Sequence, residues 1–325
     1  MPTAIRLLNL GPAHWLRTQS VYHALAETMT VETPDTIVLT RPSQPYLCIG
    51  YHQELDSVLD RATCRQLSLP IIRRRVGGGT TYLDANQLFY QYVFHHTRVP
   101  ATVERLYAAL LAAPVAALRA LGLDAELRGE NEIEVDGQRI AGIGGGRIGE
   151  AAVVVGNVLL DFDYDRMARV WRAPSEPFRH LAASALREHV TTLRAKAPRP
   201  MAPADMEARL LVEFPAVLGR PLERGELTKE EWGEVESIEK RLMSEEWLSL
   251  HANGGQPMTT LKISRGVFIR SAEAEVNGWH VRAALRARDD EIVQAILESE
   301  PARDWSEAEA RLRGTKIRDW TRAVL

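Results

Sequence analysis

A chain of 325 residues is long enough for two domains, and its 45% hydrophobic and 26% charged residues allow a sizeable buried core. A formal net charge of -3 supplies no global attraction to nucleic acid or to an anionic membrane. The two cysteines, Cys48 and Cys64, cannot supply a disulfide framework or a cysteine-based zinc cluster.

The first ten residues lack a charged start followed by an apolar core. No apolar run approaches the roughly 20 residues of a membrane span, so a cytoplasmic protein without a membrane partner is expected. Trp15 to Met29 reads as a helix, with Leu16, Val21, Leu25 and Met29 at helical spacing. Short strands are predicted over Ile37–Thr40 and Tyr46–Gly50. Cys48 lies in the second, where an apolar neighbourhood favours packing over reactivity. His52 follows in a turn and reads either as a rim residue or as a general base. A short helix over Ser57–Leu67 then leads to an apolar strand over Leu69–Ile72.

The stretch that carries most chemistry is Arg73-Arg74-Arg75-Val76-Gly77-Gly78-Gly79-Thr80-Thr81-Tyr82-Leu83-Asp84. Three successive glycines remove the Cβ barrier, so the backbone can press its N–H groups against a ligand. Guanidinium groups beside them bind phosphate or carboxylate through paired donors. The spacing matches neither the P-loop nor the dinucleotide-binding fingerprint. From the residues alone, an anion cradle and a glycine hairpin with a solvated arginine edge both remain open.

Alternation through Tyr82, Leu88, Tyr90, Tyr92 and Phe94 predicts the strand after the glycines. His95 and His96 end it; adjacent strand residues face opposite ways, so a solvent-exposed pair sharing no metal is expected. Ala101–Leu121 reads as a packing helix closed by Gly122. Gly129–Val135 and Gln138–Ile143 form a predicted hairpin around Asp136-Gly137, followed by Gly144-Gly145-Gly146. Val153–Phe162 is an apolar strand containing Gly156-Asn157.

Pro198, Pro200 and Pro203 mark a surface connection before helices over Ala204–Leu218 and Thr228–Trp247. The second opens with a capping box, Thr228 and Glu231. Periodicity breaks over His251–Pro257, the expected domain boundary. Strands over Met258–Ile263, Gly266–Val276 and His280–Arg288 follow, with Asn277-Gly278 as a hairpin turn. Helices over Asp290–Glu300 and Trp305–Leu312 complete the predicted elements.

Arg73-Arg74-x-x-Gly77-Gly78-Gly79, two threonines, Tyr82 and Asp84 together resemble the signature of lipoate protein ligases, relatives of biotin protein ligases and octanoyl transferases. Ile49-Gly50-Tyr51-His52-Gln53 matches the family's Ile-Gly-x-x-Gln. Asn131-Glu132 stands where the family has Asn-Asp, and Gly137-Gln138-Arg139-Ile140-Ala141-Gly142 where it has Gly-x-Lys-(Val/Ile)-(Ser/Ala)-Gly. Val155-Gly156-Asn157 takes the place of His-Gly-Thr, and Leu159-Leu160-Asp161-Phe162-Asp163 continues it through Leu-Leu-x-x-Asp. Arg187–Leu193, with His189, is similar to Ser-x-Val-Thr-Asn-Leu.

The resemblance implies an α/β (α+β) fold of mixed sheets flanked by helices over residues 1–250, and a small α+β accessory domain over 254–325. It implies ATP-dependent attachment of lipoate or octanoate, with Mg2+, to a lysine of a lipoyl-type carrier; a monomer is expected, and from its charge one that binds no nucleic acid. Arg74, Gly77, Gly78, Gly79, Thr80, Thr81, Tyr82, Asn131 and Gly142 would bind substrate or adenylate. Arg139 would be catalytic in the lysine's place, and no metal ligand is assigned. The alternatives are an ATP-independent octanoyl or lipoyl transferase, and a non-catalytic binder of acylated carrier or adenylate.

Overall fold

The computed structural model describes residues 3–252 and 254–324, so Asn253 of the expected boundary cluster lies outside the described residues. The strands are β1 (Ile5–Ala13), β2 (Thr36–Pro42), β3 (Tyr46–Ile49), β4 (Ile71–Arg73), β5 (Thr81–Leu83), β6 (Gln87–His95), β7 (Ala125–Arg128), β8 (Glu132–Val135), β9 (Gln138–Ile148), β10 (Ala151–Leu159), β11 (Leu222–Arg224), β12 (Thr260–Ser264), β13 (Val267–Val276), β14 (Trp279–Arg288) and β15 (Glu291–Glu300). Eight form a mixed sheet in the order β11-β1-β2-β6-β10-β9-β8-β7, parallel only where β1 meets β11 and β2. A small sheet, β4-β3-β5, carries the glycine loop between β4 and β5.

Helices cover both faces of the large sheet, and so β6 is buried at every position instead of alternating with solvent. Ile37, Leu39, Tyr90 and Tyr92 join a core with the helices Val103–Ala120 and Pro203–Leu218. Val38, Phe89 and Val93 join the opposite core with Arg17–Glu27 and Lys229–Leu242. The capping box forms as predicted, with Thr228 N–H donating to Glu231 (2.7 Å) and Glu231 N–H to Thr228 Oγ1 (3.1 Å). Among the described residues no helix is long and apolar enough to cross a membrane.

The chain divides into two compact units. One holds Met1–Leu55, Cys64–Phe162 and Thr191–His251; the other holds Asp56–Thr63, Asp163–Val190 and Ala252–Leu325. In the second unit β12 to β15 form an antiparallel sheet in sequence order. Helix Glu176–His189 packs on β12, β13 and β14, and helix Ser306–Leu312 packs on β15.

Several elements differ from their sequence reading. Asp290–Glu300, expected as a helix, is the strand β15: Asp289 and Asp290 both take positive φ (48° and 72°), closing a hairpin that pairs β15 with β14. Its Ile292, Ala295 and Leu297 are buried while Glu291, Glu298 and Glu300 are exposed, so cross-strand packing overrides good helix formers. Strands β1, β7 and β11 and the helix Glu176–His189 have no counterpart in the sequence reading, whereas Asp163 caps the helix Tyr164–Val170, as the acids of Leu159–Asp163 lead one to expect. The predicted helix Ser57–Leu67 is two turns of helix, Leu55–Val58 and Arg61–Gln66. Ser244 ends the predicted Thr228–Trp247 helix by capping a new one, Glu245–Leu248.

The histidine pair is also corrected. Strand alternation stops at His95, because His96 opens a 3-10 turn, His96–Arg98, which brings the two ring centroids within 4.7 Å. His95 is buried. Asp35, fully buried, fixes this turn by accepting from His95 N–H (2.8 Å) and Arg98 Nε (2.9 Å), and it also pairs with Arg220. Asp35→Ala strands a buried guanidinium and should cost about 3–5 kcal/mol in urea unfolding; a loss below about 1 kcal/mol would show the network to be solvated.

Candidate active site

The glycine loop is shaped by the arginines before it, and two of these are buried. Arg73, 0% exposed, donates through Nη1 to the carbonyls of Gly50, Tyr51 and Gln53 and through Nε and Nη2 to those of Trp247 and Leu248. Arg74 donates to the carbonyls of Gly77 (2.9 Å), Gly79 (2.8 Å) and Cys48 (3.2 Å). Arg75 pairs with Glu27 and gives its main-chain N–H to His23 Nε2. A solvated arginine edge is therefore not what this sequence builds.

Glycine is required where backbone meets backbone. A Cβ at Gly50 would overlap the Gly78 carbonyl, and one at Gly144 would stand 2.9 Å from the Gly77 oxygen. Gly77 N–H donates to Gly145 O at 3.3 Å, so the loop lies directly against β9. Gly78 takes φ +102°, open to glycine alone without strain. Among the described residues no hydrogen bond engages the N–H of Gly78, Gly79 or Thr80.

Thr80 and Thr81 are held from below: Thr80 Oγ1 donates to Gln53 Oε1 (3.2 Å) and Thr81 Oγ1 to Cys48 O (3.3 Å). Tyr82 is buried with its ring edge-on to Phe162. A relay joins it to the hairpin. Gly142 N–H donates to Asn157 Oδ1 (3.3 Å), Asn157 Nδ2 to Gln87 Oε1, and Gln87 Nε2 to Tyr82 O (2.8 Å). Gln87 and Asn157 are members the sequence reading missed; the signal lay in the Gly156-Asn157 pair, but nothing local pointed to Gln87.

Arg139 sits opposite Glu134 at a bulge between β8 and β9, and its carbonyl accepts from Thr191 N–H (2.9 Å). It is half-buried. Burial lowers its pKa, against which the carboxylates of Glu132 and Glu134 support the charge. Glu132 is the register partner of Gly142, and Asn131 occupies the turn just before it. Among the described residues no hydrogen bond or ion pair links Arg139 or Asn131 to the glycine loop. The structure thus gathers Arg74, Gly77–Tyr82 and Gly142 into one network and leaves these two on the adjoining hairpin.

Four other side chains take structural places. Cys48 is buried and burial pushes its thiol up, with Arg74 Nη1 3.5 Å from the sulfur, and Cys64 is buried in a helix. His52 is an exposed turn residue whose ring neighbours Tyr51 (5.0 Å) and His251 (5.9 Å). His189, in the second unit, accepts from Arg286 Nη2 at 2.7 Å, and burial with that guanidinium keeps it neutral to lower pH.

Residues 16–215 match the family model described as the lipoyl protein ligase A/B catalytic domain. An octanoyltransferase LipM from Kyrpidia tusciae is 27% identical over 66% of this chain and 87% of its own. A lipoate–protein ligase from Streptococcus pyogenes is 23% identical over 62% of each chain. Among solved structures, a bi-partite lipoate protein ligase from Thermoplasma acidophilum superposes with TM-score 0.71 over 78% of this chain and 98% of its own at 22% identity. A lipoate-protein ligase A bound with ATP gives 0.66 over 76% and 99% at 21% identity.

Two predictions follow from this geometry. Gly50→Ala should destabilise the protein by about 3 kcal/mol or more, as backbone overlap cannot relax, whereas Gly79→Ala, with nothing near its Cβ, should stay within about 1 kcal/mol; thermal unfolding compares them. His23, fully buried between Gln19 O and the Arg75 N–H, has its pKa lowered by burial from 6.5 to about 3. The unfolded chain therefore takes up the proton first on acidification. The stability His23 contributes is whole above pH 6.5 and falls by about 1.4 kcal/mol per pH unit below it. His23→Leu should remove that part of the slope in unfolding measured from pH 7 to 4.

Proposed function

The chain belongs to the lipoyl protein ligase A/B catalytic family, and from that premise we propose that it activates lipoate or octanoate with ATP and transfers the acyl group to a lysine of a lipoyl-type carrier. The observation that carries this reading is the run of unengaged N–H groups at Gly78, Gly79 and Thr80 above the buried, charged Arg74. Converging amides over a cation form a site for the phosphate of a nucleotide.

The acid's carboxylate attacks the α-phosphorus of ATP, pyrophosphate leaves, and a mixed anhydride forms. The carrier's lysine amine then attacks the acyl carbon, an amide bond forms, AMP departs and the amine loses a proton. In this scheme Gly77–Gly79 and Thr80–Tyr82 hold the adenylate, with Asn131 and Gly142 beside it. Arg139 supplies a fixed cation where lysine stands in the family. Mg2+ accompanies the nucleotide, coordinated mainly by phosphate and water. Sheet side chains enclose the fatty chain, at about 0.8 kcal/mol per buried methylene. Residues from 254 onward are proposed as the accessory domain.

A second reading is transfer of an acyl group between carriers without ATP, favoured by the relatives named octanoyltransferase LipM. Burial of both cysteines and the raised Cys48 thiol oppose a cysteine nucleophile for it. Intact-mass analysis of a lipoyl-type carrier, incubated with this protein, Mg2+ and lipoate or octanoate, distinguishes the two. A gain of one acyl group that requires ATP is expected; a gain from an acylated donor without ATP establishes the transferase, and no gain in any tube leaves a binding protein. Arg139→Met should lower the ATP-dependent rate by about 100-fold or more, whereas Cys48→Ala should keep it within a few-fold.

A further inference from the structure

Away from the glycine loop, at the opposite end of β6, three ligand-type side chains converge. His95, His96 and Glu150 each offer an atom, and these atoms lie within 4.8 Å of one another. We propose that they form a binding site for a divalent transition metal ion of the Zn2+ or Co2+ type.

The two edges that run to Glu150 suit such an ion. Glu150 Oε2 stands 3.7 Å from His95 Nε2 and 3.2 Å from His96 Nδ1, which donates to Glu150 O at 3.1 Å and passes its proton to Nε2 when an ion takes its place. Tetrahedral zinc with bonds of about 2.0–2.2 Å separates its ligand atoms by roughly 3.3–3.5 Å, so these two edges need shifts of only a few tenths of an ångström. Two imidazoles and one carboxylate suit zinc and its neighbours, whereas magnesium and calcium prefer all-oxygen shells. Three protein ligands leave a position for water.

The backbone that presents them is already fixed. His95 pairs with Ala151 in the β6–β10 ladder, and His96 N–H donates to Glu150 O at 2.9 Å. Buried Asp35 holds His95 N–H and the Arg98 guanidinium, which sets the turn that swings His96 to the same side. His95 Nδ1 accepts from Thr97 N–H at 3.3 Å and lies 2.8 Å from Thr97 Oγ1, which turns Nε2 toward Glu150; an ion bound at Nε2 shifts the ring proton to Nδ1, where Thr97 Oγ1 accepts it.

The cluster already attracts a cation. Arg147 Nη2 lies 3.4 Å and 3.5 Å from the His96 ring nitrogens and 3.5 Å from Glu150 Oε1. Its side chain is 58% exposed and free to swing into solvent when a dication enters. Arg147 is thus a competitor for the same carboxylate, and removing it should strengthen metal binding.

The test uses the full-length protein, stripped with chelator and titrated with Co2+ alone. One equivalent is expected to bind with the visible absorption of a four- or five-coordinate ion. Ring proton signals of His95 and His96 should shift paramagnetically, a readout that needs no variant. The double substitution His96→Ala, Glu150→Gln, at two of the less buried positions, should weaken binding by at least about tenfold, and Arg147→Ala should tighten it several-fold. Because the chain holds nine histidines, unchanged affinity and spectrum in the double variant would assign binding elsewhere and overturn the proposal, as would the absence of binding in the parent.

Discussion

One buried guanidinium governs the candidate active site. Arg74 draws the carbonyls of Gly77 and Gly79 inward, and in a trans peptide the N–H of the next residue points the opposite way. The amides of Gly78 and Thr80 are therefore aimed outward by the same contacts that fold the loop. Its described hydrogen bonds end on carbonyls and a sulfur rather than on a carboxylate, so its charge is solvated by dipoles and not neutralised. An electropositive field persists beneath the outward amides, and the loop needs no arginine side chain reaching over it.

That arrangement demands the glycines on every side. Gly50 passes under Gly78, and Gly144 passes under Gly77, at separations no Cβ allows. Arg73 ties the Gly50–Gln53 turn to the segment at Trp247 and Leu248, and Trp247 Nε1 returns a bond to Arg73 O at 2.9 Å. The basic run thus divides its labour by position. Arg73 braces the turn, Arg74 shapes the loop, and Arg75 anchors to the helix carrying His23 and Glu27.

The parts legible in the sequence were those where local chemistry leaves one solution. Asp136-Gly137 and Asn277-Gly278 both take positive φ and close hairpins, as their residue types require. The glycine turn between two strands was legible, but not the burial of Arg73 and Arg74, because partners 26 and 174 residues away decide it. The Asn157–Gln87 relay was hidden for the same reason, its ends being 70 residues apart. β15 failed where strong helix formers were captured by a neighbouring strand, and His95–His96 failed because a period-two rule was carried one residue past the end of its strand.

The hairpin poses a different constraint on charge. Arg74 cannot follow a reaction, since moving its guanidinium would unbind the carbonyls that define the loop. Arg139 is on a bulge, where one extra residue relaxes the ladder and re-aims a side chain. Its main chain is pinned by Thr191, and its charge is supported against burial by Glu132 and Glu134. Of the two, Arg139 is the one that, among the described residues, holds no carbonyl of the glycine loop, and on the proposed reading it is the cation that meets new charge. On the proposed reading, a planar fork in place of a lysine's point charge favours two acceptors lying side by side, as the carboxyl and phosphate oxygens of the proposed mixed anhydride do.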